Sequence, residues 1–394
     1  MGVTTQEVIA DGQKYVMNTY GRLPMVIDRG EGCYVWDLDG NRYLDLVAGI
    51  AVNSLGHSHP AVAKAIQEQS EKLLHCSNLY WIENQVKLAK LLVEKSGMGK
   101  AFFCNSGAEA NEAAIKLARK WGKGEKYHII TMKNSFHGRT MGALTATAQE
   151  KYQKAFMPLL EGFSSVPLGD LEALEAAIRP ETCAIMMEPI QGESGINVPT
   201  QEYVNGVQAL CKKHNILLIL DEVQTGIGRT GKPFCFQNFG LEPDIISLAK
   251  AIANGMPMGA ILAKTEVADC FQPGDHATTF GGTPIATAAG VAACSILLED
   301  EFLANVQETG EYFRAQLRAI GERQPGKIKE VRGLGLMIGC ELTGSAKDVN
   351  AELFKNGVLV NTIGEHVLRF VPPLTITKEQ IDDFITILEN ALAK

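Results

Sequence analysis

Several things are scarce in these 394 residues, and each scarcity narrows the possibilities. Charged residues make up 21% of the chain, with 37 Lys plus Arg against 45 Asp plus Glu. The net charge is -8, and no basic run could neutralise successive phosphates, so nucleic acid is a poor partner. Long apolar runs are missing: Leu46–Val52, with its glycine allowed, falls far short of the roughly 20 residues a membrane helix needs. The opening Met-Gly-Val-Thr-Thr-Gln lacks the basic and apolar blocks of a secretory signal, and Gln6 stands where a myristoylation signal wants Ser or Thr. The expectation is a cytoplasmic protein with no membrane partner. Nine cysteines never come closer than 24 residues and form no CxxC pair, which suits buried reduced thiols better than disulfides or a zinc site.

What is present is a large apolar fraction, 46%, at a mean hydropathy near zero, typical of a globular chain with a sizeable core. The length exceeds what one core usually supports, so two structural units, or one large α/β unit with an appendage, are expected. No repeat, low-complexity tract or linker divides them, so boundaries must come from the pattern of elements. Residues 26–45 alternate apolar and polar around Leu38-Asp39-Gly40-Asn41, predicting a hairpin or small meander.

From about residue 60, helices alternate with short apolar runs at Ala101–Cys104, His128–Met132, Ala184–Met187, Ile216–Leu220, Ile245–Leu248 and Ala260–Ala263. Such runs are strands buried on both faces; with helical stretches such as Ala108–Trp121 and Glu202–His214 between them they predict an α/β, mostly parallel sheet. Ligands of such sheets sit at the carboxyl ends of the strands. A long helical region from Ala286 to Arg323, strands near 328–331, 334–341, 358 and 368, and a helix from Lys378 predict a smaller α+β unit.

Several motifs fall at those strand ends. Asn105-Ser106-Gly107-Ala108-Glu109 reads first as a capping box of Ser106 with Glu109; a phosphate site is compatible with it, since that needs only a helix N-terminus with exposed amides and small residues. Asp221, after the most apolar strand, is either a hydrogen-bonding structural carboxylate or one held ionised by a cationic partner. Lys250 ends another apolar run; a solvated lysine is the bland reading, and a lysine forming a Schiff base with an aldehyde the functional one. Gly226-Ile-Gly228-Arg-Thr-Gly231 matches GxGxxG, yet Lys232-Pro233-Phe234 follows where a dinucleotide site opens a helix. Arg139, Arg369 and the carboxylates Glu188 and Glu193 are, singly, ordinary surface or paired residues. His57 and His59 lack a nearby acidic or cysteine partner, and no metal site is expected.

Taken together and in order, these pieces resemble the class III aminotransferases that use pyridoxal 5'-phosphate (PLP). The matching text is Thr19-Tyr20-Gly-Arg22-Leu-Pro24, Gly40–Asp45, Gly56-His57-Ser-His59-Pro60, Asn105–Glu112, Phe136-His-Gly-Arg139, Glu188–Glu193, Asp221–Gly226, Leu248-Ala-Lys250 and Arg332–Leu336.

The resemblance implies PLP-dependent transferase fold type I: a large domain with a mostly parallel seven-stranded sheet, plus a small α+β domain built from both chain ends. The expected division is 1–60 for the N-terminal contribution to the small domain, 61–299 for the large PLP-binding domain and 300–394 for the rest. It also implies a homodimer with active sites at the interface. Lys250 would carry the cofactor as a Schiff base and later move the substrate's proton, while Asp221 would pair with the protonated pyridine nitrogen. Val223 and Phe136 would sandwich the ring, Gln224 would lie by its phenolic oxygen with Glu222 beside it, and Ser106, Gly107 and Ala108 would bind the phosphate. Thr279 would complete the phosphate site from the partner subunit, with Thr278 near the substrate. Arg139 would grip a carboxylate bidentately. Arg369 would receive the α-carboxylate of glutamate, Glu193 pairing with it when the donor has none there, and Tyr20 would line the same pocket.

Relatives acting on free ornithine carry a bulky aromatic at about the place of Gly49, so a glycine leaves room for an acyl group on the donor's α-nitrogen. The expected reaction is amino transfer from N2-acetylornithine to 2-oxoglutarate, giving N-acetylglutamate 5-semialdehyde and glutamate, in arginine biosynthesis. Other ω-amines (ornithine, succinylornithine, a succinylated diaminopimelate precursor, 4-aminobutyrate) or an aminomutase reaction are the alternatives within the class. A non-enzymatic or dinucleotide-binding α/β protein built on the GxGxxG match is the rival outside it.

Overall fold

Seven strands form the central sheet of the computed structural model, which describes residues 2–394. Their spatial order is Lys100–Cys104, Gly259–Ala263, Ile245–Leu248, Leu217–Asp221, Thr182–Met187, His128–Met132 and Phe163–Val166. Six are the apolar runs predicted from sequence. Phe163–Val166 was not predicted: it is an edge strand whose two central serines break any apolar run. All pairings are parallel except those of Gly259–Ala263, which runs antiparallel to both neighbours.

Five of the strands are buried along their whole length, because helices cover both faces. Gly107–Trp121 lies on one face through Ala110, Ala113, Ala114, Leu117 and Ala118, a mostly small-residue stripe that lets helix and sheet approach closely. The opposite face packs against the larger core, which continues into the second unit. The carboxyl ends of Lys100–Cys104, Leu217–Asp221 and Ile245–Leu248 therefore lie on one side, where the predicted motifs collect.

The chain ends meet in the second unit. Ile27–Glu31, Tyr34–Asp37 and Arg42–Asp45 form the predicted meander, and Arg42–Asp45 pairs in parallel with Val358–Leu359. Leu46 N donates to Leu359 O at 3.0 Å and Val371 N to Leu46 O at 3.0 Å, stitching the N-terminal segment to the C-terminal one. A second antiparallel sheet runs Ile328–Leu334, Met337–Leu342, Val367–Phe370, Asn361–Ile363. It is backed by Asp300–Arg323 and Lys378–Ala393, with Phe313, Phe370 and Phe384 at centroid spacings of 5.3, 5.6 and 5.3 Å.

Two helical regions also differ from the sequence expectation. The helical region expected from 286 to 323 is two helices, Pro284–Leu297 and Asp300–Arg323, interrupted at Leu298 and Glu299. An N-terminal helix, Thr5–Tyr15, has a Thr4/Glu7 capping box that was not singled out. Among the described residues, no helix is long and apolar enough to cross a membrane. All nine cysteines are free thiols and seven are buried.

Candidate active site

A cavity of about 450 Å³ opens at the carboxyl ends of the central strands. Its wall is built from the first turn of Gly107–Trp121, the Phe136–Arg139 loop, Glu188, Glu193, Asp221, Val223, Gln224 and Lys250. Ten of the fifteen site residues predicted from sequence line it, and Arg369 is bonded to one of them, Glu193.

Asp221 closes its strand and is 4% exposed. Its Oδ2 accepts from Asn111 Nδ2 and from His137 Nδ1, each at 2.7 Å, and its Oδ1 from Val223 N at 3.0 Å. Asn111 is itself fixed, donating to the His137 carbonyl at 2.6 Å and accepting from Ser247 Oγ at 2.6 Å. A buried carboxylate with three donors in place stays oriented toward whatever cationic group enters the cavity.

Lys250 follows the Ile245–Leu248 strand with φ +49°, a left-handed conformation that costs a non-glycine residue of order 1 kcal/mol. Burial pulls its ammonium down from the ordinary lysine value to about 8; Arg369 acts in the same direction, while Glu193, Asp221 and Glu188 oppose it. A lysine so placed is partly neutral near physiological pH and can attack an aldehyde.

The helix start expected to hold the phosphate borders the cavity. Gly107 and Ala108 are its first two residues, whose amides have no acceptor above them in the helix. A Cβ at Gly107 would lie 2.8 Å from Val223 Cγ1, so only glycine leaves this cradle open. The predicted capping box is half formed: Ser106 Oγ accepts from Glu109 N at 3.2 Å, but Glu109 Oε2 turns to Asn105 N at 2.9 Å. Phe136 and Val223 both border the cavity, and Gln224 gives Nε2 to Glu193 at 3.1 Å while its Oε1 is buried without a partner. An aldehyde-reactive lysine, a carboxylate for a ring nitrogen, an open helix terminus and an unsatisfied amide together fit PLP.

Arg369 and Glu193, expected to handle substrate carboxylates, also meet. Arg369 Nη1 lies 2.6 Å from Glu193 Oε1, with the guanidinium buried. Burial pushes the Glu193 carboxyl up, but Arg369, Lys250 and a bond from Gln224 hold it below its ordinary value. Arg139 lies at the rim with no carboxylate partner among the described residues, its guanidinium 4.1 Å from the Tyr152 ring centroid.

Four predicted residues stand elsewhere. Glu222 is buried with its carboxylate turned away, accepting from Thr225 Oγ1 at 2.8 Å, Cys235 N at 2.9 Å and Phe236 N at 2.7 Å. It anchors the 225–236 loop, because successive residues at a strand end point to opposite faces. Thr278 Oγ1 accepts from Asn105 Nδ2 at 3.1 Å, just outside the cavity. Thr279 is exposed, and Tyr20, 70% exposed, lines a separate groove of residues 8–27. The GxGxxG run forms turns and opens no helix. Arg229 within it is buried, donating to the Leu336 and Pro372 carbonyls at 3.1 and 2.6 Å and to Ser54 Oγ at 3.1 Å.

Asn111, His137 and Glu188 were not predicted as site residues. Asn111 had a signal, as a polar residue on the alanine face of its helix four positions after Gly107. Glu188 accepts from Phe136 N at 2.8 Å and Gly192 N at 3.0 Å, and burial raises its carboxyl to about 7 against the pull of His137 and these bonds.

A lysine, a buried carboxylate and a helix-terminal anion cradle at the carboxyl edge of a seven-stranded sheet define an aminotransferase site of the PLP-dependent kind. The chain belongs to the class III aminotransferases, whose family model matches residues 15–392 and whose members depend on PLP. It is 54% identical over 387 residues to an acetylornithine aminotransferase of Caldanaerobacter subterraneus subsp. tengcongensis, covering 97% of this chain and 98% of the relative. It is 50% identical over 390 residues to one from Methanocaldococcus jannaschii, covering 97% of each. Among solved structures it is similar to the Toxoplasma gondii ornithine aminotransferase, with TM-score 0.95 and 34% identity over 100% of this chain and 96% of that one. An acetylornithine aminotransferase from Elizabethkingia anophelis has TM-score 0.88 and 34% identity over the whole of both chains. The fold-type I architecture expected from sequence is the one present.

Proposed function

We propose that this enzyme moves the terminal amino group of N2-acetylornithine to 2-oxoglutarate, forming N-acetylglutamate 5-semialdehyde and glutamate, as a step of arginine biosynthesis. The observation that carries the donor assignment is identity of about half, end to end, with relatives named acetylornithine aminotransferase. The site supports it. Gly49 has only Asn53 Nδ2 at 3.4 Å and Val52 side-chain atoms from 3.5 Å near its missing Cβ, so the approach to Val52, which borders the cavity, carries no bulk there.

PLP, when bound, supplies an aldehyde for the amino group and a ring that withdraws electrons from the carbon losing its proton. Lys250 would hold it and, once freed, take the proton from the substrate carbon bearing the amine and return it to the cofactor side. Asp221, held by Asn111 and His137, would keep a negative charge at the ring nitrogen so that the nitrogen stays protonated. Gly107 and Ala108 amides, with Ser106, would hold the phosphate, Phe136 and Val223 the ring faces, and Gln224 the phenolic oxygen. Arg139 would bind the substrate carboxylate far from the reacting amine. Glu193 would neutralise Arg369 for acetylornithine and release it for glutamate or 2-oxoglutarate, letting one cavity serve two unlike substrates in alternation.

Tyr20, Thr278 and Thr279 lie outside their own chain's cavity, which supports a homodimer in which they serve the partner's site. Leu79, Tyr80, Trp81 and Phe280, 83, 70, 93 and 62% exposed, form apolar surface of the kind a second copy covers. Residues 1–60 and 300–394 would form the small domain and 61–299 the large one, in a cytoplasmic enzyme. Steady-state rates on acetylornithine, ornithine, succinylornithine and 4-aminobutyrate test the reading. A clear preference for acetylornithine supports it; a preference for free ornithine rejects it.

A further inference from the structure

Arg369 stands directly across from Asn361, on the edge strand of the C-terminal sheet. Its guanidinium is 3% exposed and held from two sides. Nη1 donates to Glu193 Oε1 at 2.6 Å and to the Gly192 carbonyl at 3.2 Å; Nη2 donates to Asn361 Oδ1 at 2.6 Å; Nε is buried with no partner. These holders differ in mobility. Asn361 is fixed by strand pairing, and Gly192 is pinned through its amide to Glu188. Glu193 has only its own side chain to turn, and that is 27% exposed. When Glu193 leaves, Arg369 keeps two neutral acceptors.

A buried arginine that loses its only anion is left with an uncompensated charge, and its several rotatable bonds would let it follow the departing carboxylate. A neutral amide opposite Nη2 prevents this while leaving the charge unspent. An aspartate in the same place would hold the fork equally well and neutralise it permanently. We infer that Asn361 is a positioning residue for the second substrate: it keeps Arg369 at the part of the cavity wall that Glu193 forms when Glu193 withdraws, and its neutrality reserves the charge for the incoming α-carboxylate. The residue at 361 thus sets whether the enzyme accepts a dicarboxylic amino or keto acid, without touching it. This rests on the assignment of Arg369 to that carboxylate made above.

The test compares wild-type holoenzyme with Asn361→Asp, Asn361→Ala and Arg369→Ala. Each half-reaction is followed separately in single turnovers, and binding of glutarate, a dicarboxylate without a reacting amine or ketone, is measured by calorimetry. Asn361→Asp should raise the glutamate KM and glutarate Kd about tenfold or more, the scale of one charge-assisted hydrogen bond. Asn361→Ala should raise both about fivefold, and the acetylornithine half-reaction should change severalfold less in either variant. Equal slowing of both half-reactions, or glutarate binding within about twofold of wild type, overturns the inference. Loss of glutarate binding in Arg369→Ala with normal binding in both Asn361 variants removes the inference alone. Unaltered glutarate binding in Arg369→Ala removes the Arg369 assignment and the inference with it.

Discussion

His137 Nδ1 lies 2.7 Å from Asp221 Oδ2, and both side chains are almost wholly enclosed. The imidazole therefore spends its donor on the carboxylate rather than on substrate, and its other nitrogen is buried without a partner. This pairing turns an ordinary strand-end aspartate into a fixed negative site.

Asp221→Asn keeps the shape of that site and removes its charge. The turnover number should fall by about 10²–10³, the usual effect of losing one preorganised electrostatic contact. Cofactor should remain bound, with an altered near-visible absorption spectrum. A variant within about threefold of wild type would show that Asp221 serves packing alone.

The lowered pKa of Lys250 has a pH signature in the cofactor-free protein. Below about 8 its amine is protonated and unreactive; above, it is free. The rate of recombination with PLP should rise with pH through a midpoint near 8, where a solvent-exposed lysine is still almost all ammonium. In the folded cofactor-free protein this group is deprotonated at lower pH than in the unfolded chain, so its contribution to stability should increase between about pH 8 and pH 10.5. Reconstitution rates and urea midpoints across that range check both statements; Lys250→Ala should abolish the first and flatten the second.

Gly107→Ala puts a methyl group where Val223 Cγ1 stands only 2.8 Å away. The helix start or the Val223 turn must shift, displacing the amides proposed to hold the phosphate. Apparent PLP affinity should fall about tenfold, equivalent to about 1.4 kcal/mol, with a smaller change in melting temperature. Fluorescence titration of the cofactor-free variant measures it.

Gly49 has φ +66°, within four successive left-handed residues, Ala48, Gly49, Ile50 and Ala51. Since three of these already carry side chains in that conformation, Gly49→Tyr should fold, at a stability cost of about 1–2 kcal/mol. Acetylornithine kcat/KM should drop at least about tenfold while that for free ornithine drops less, because bulk there obstructs the acyl group selectively. Equal losses on both donors would sink the steric argument.

Glu222→Ala separates a loop anchor from a cofactor contact. Three donors lose their acceptor, so stability should fall by about 1–3 kcal/mol. PLP affinity in the folded protein should change much less than in Gly107→Ala. A variant with wild-type melting and weakened PLP binding would restore Glu222 to the cofactor site.

Much of the fold was legible because burial on two faces leaves an uninterrupted apolar run, as in His128–Met132 and Leu217–Asp221. Phe163–Val166 escaped because an edge strand needs no such run. The break at Leu298 and Glu299 escaped because neither residue is a helix breaker. In the site, strand-end positions singled out Lys250 and Asp221 but left their roles open until the ordered motifs were read together, while Glu222 points away from the cavity because adjacent residues differ by a side-chain direction that only the backbone path decides.

The sequence by itself determined the sheet's apolar strands, the glycine-opened helix start, and the lysine and carboxylate that end two runs, since each depends on neighbours within a few residues. Only tertiary structure decided that Asn111 and His137 converge on Asp221, that Glu193 meets Arg369 across 176 residues, and that Asn361 stands opposite that arginine. The first depends on the order of strands in the central sheet, the second on how the C-terminal sheet sits against the 188–193 segment, and the third on strand register within that C-terminal sheet; no local periodicity records any of them.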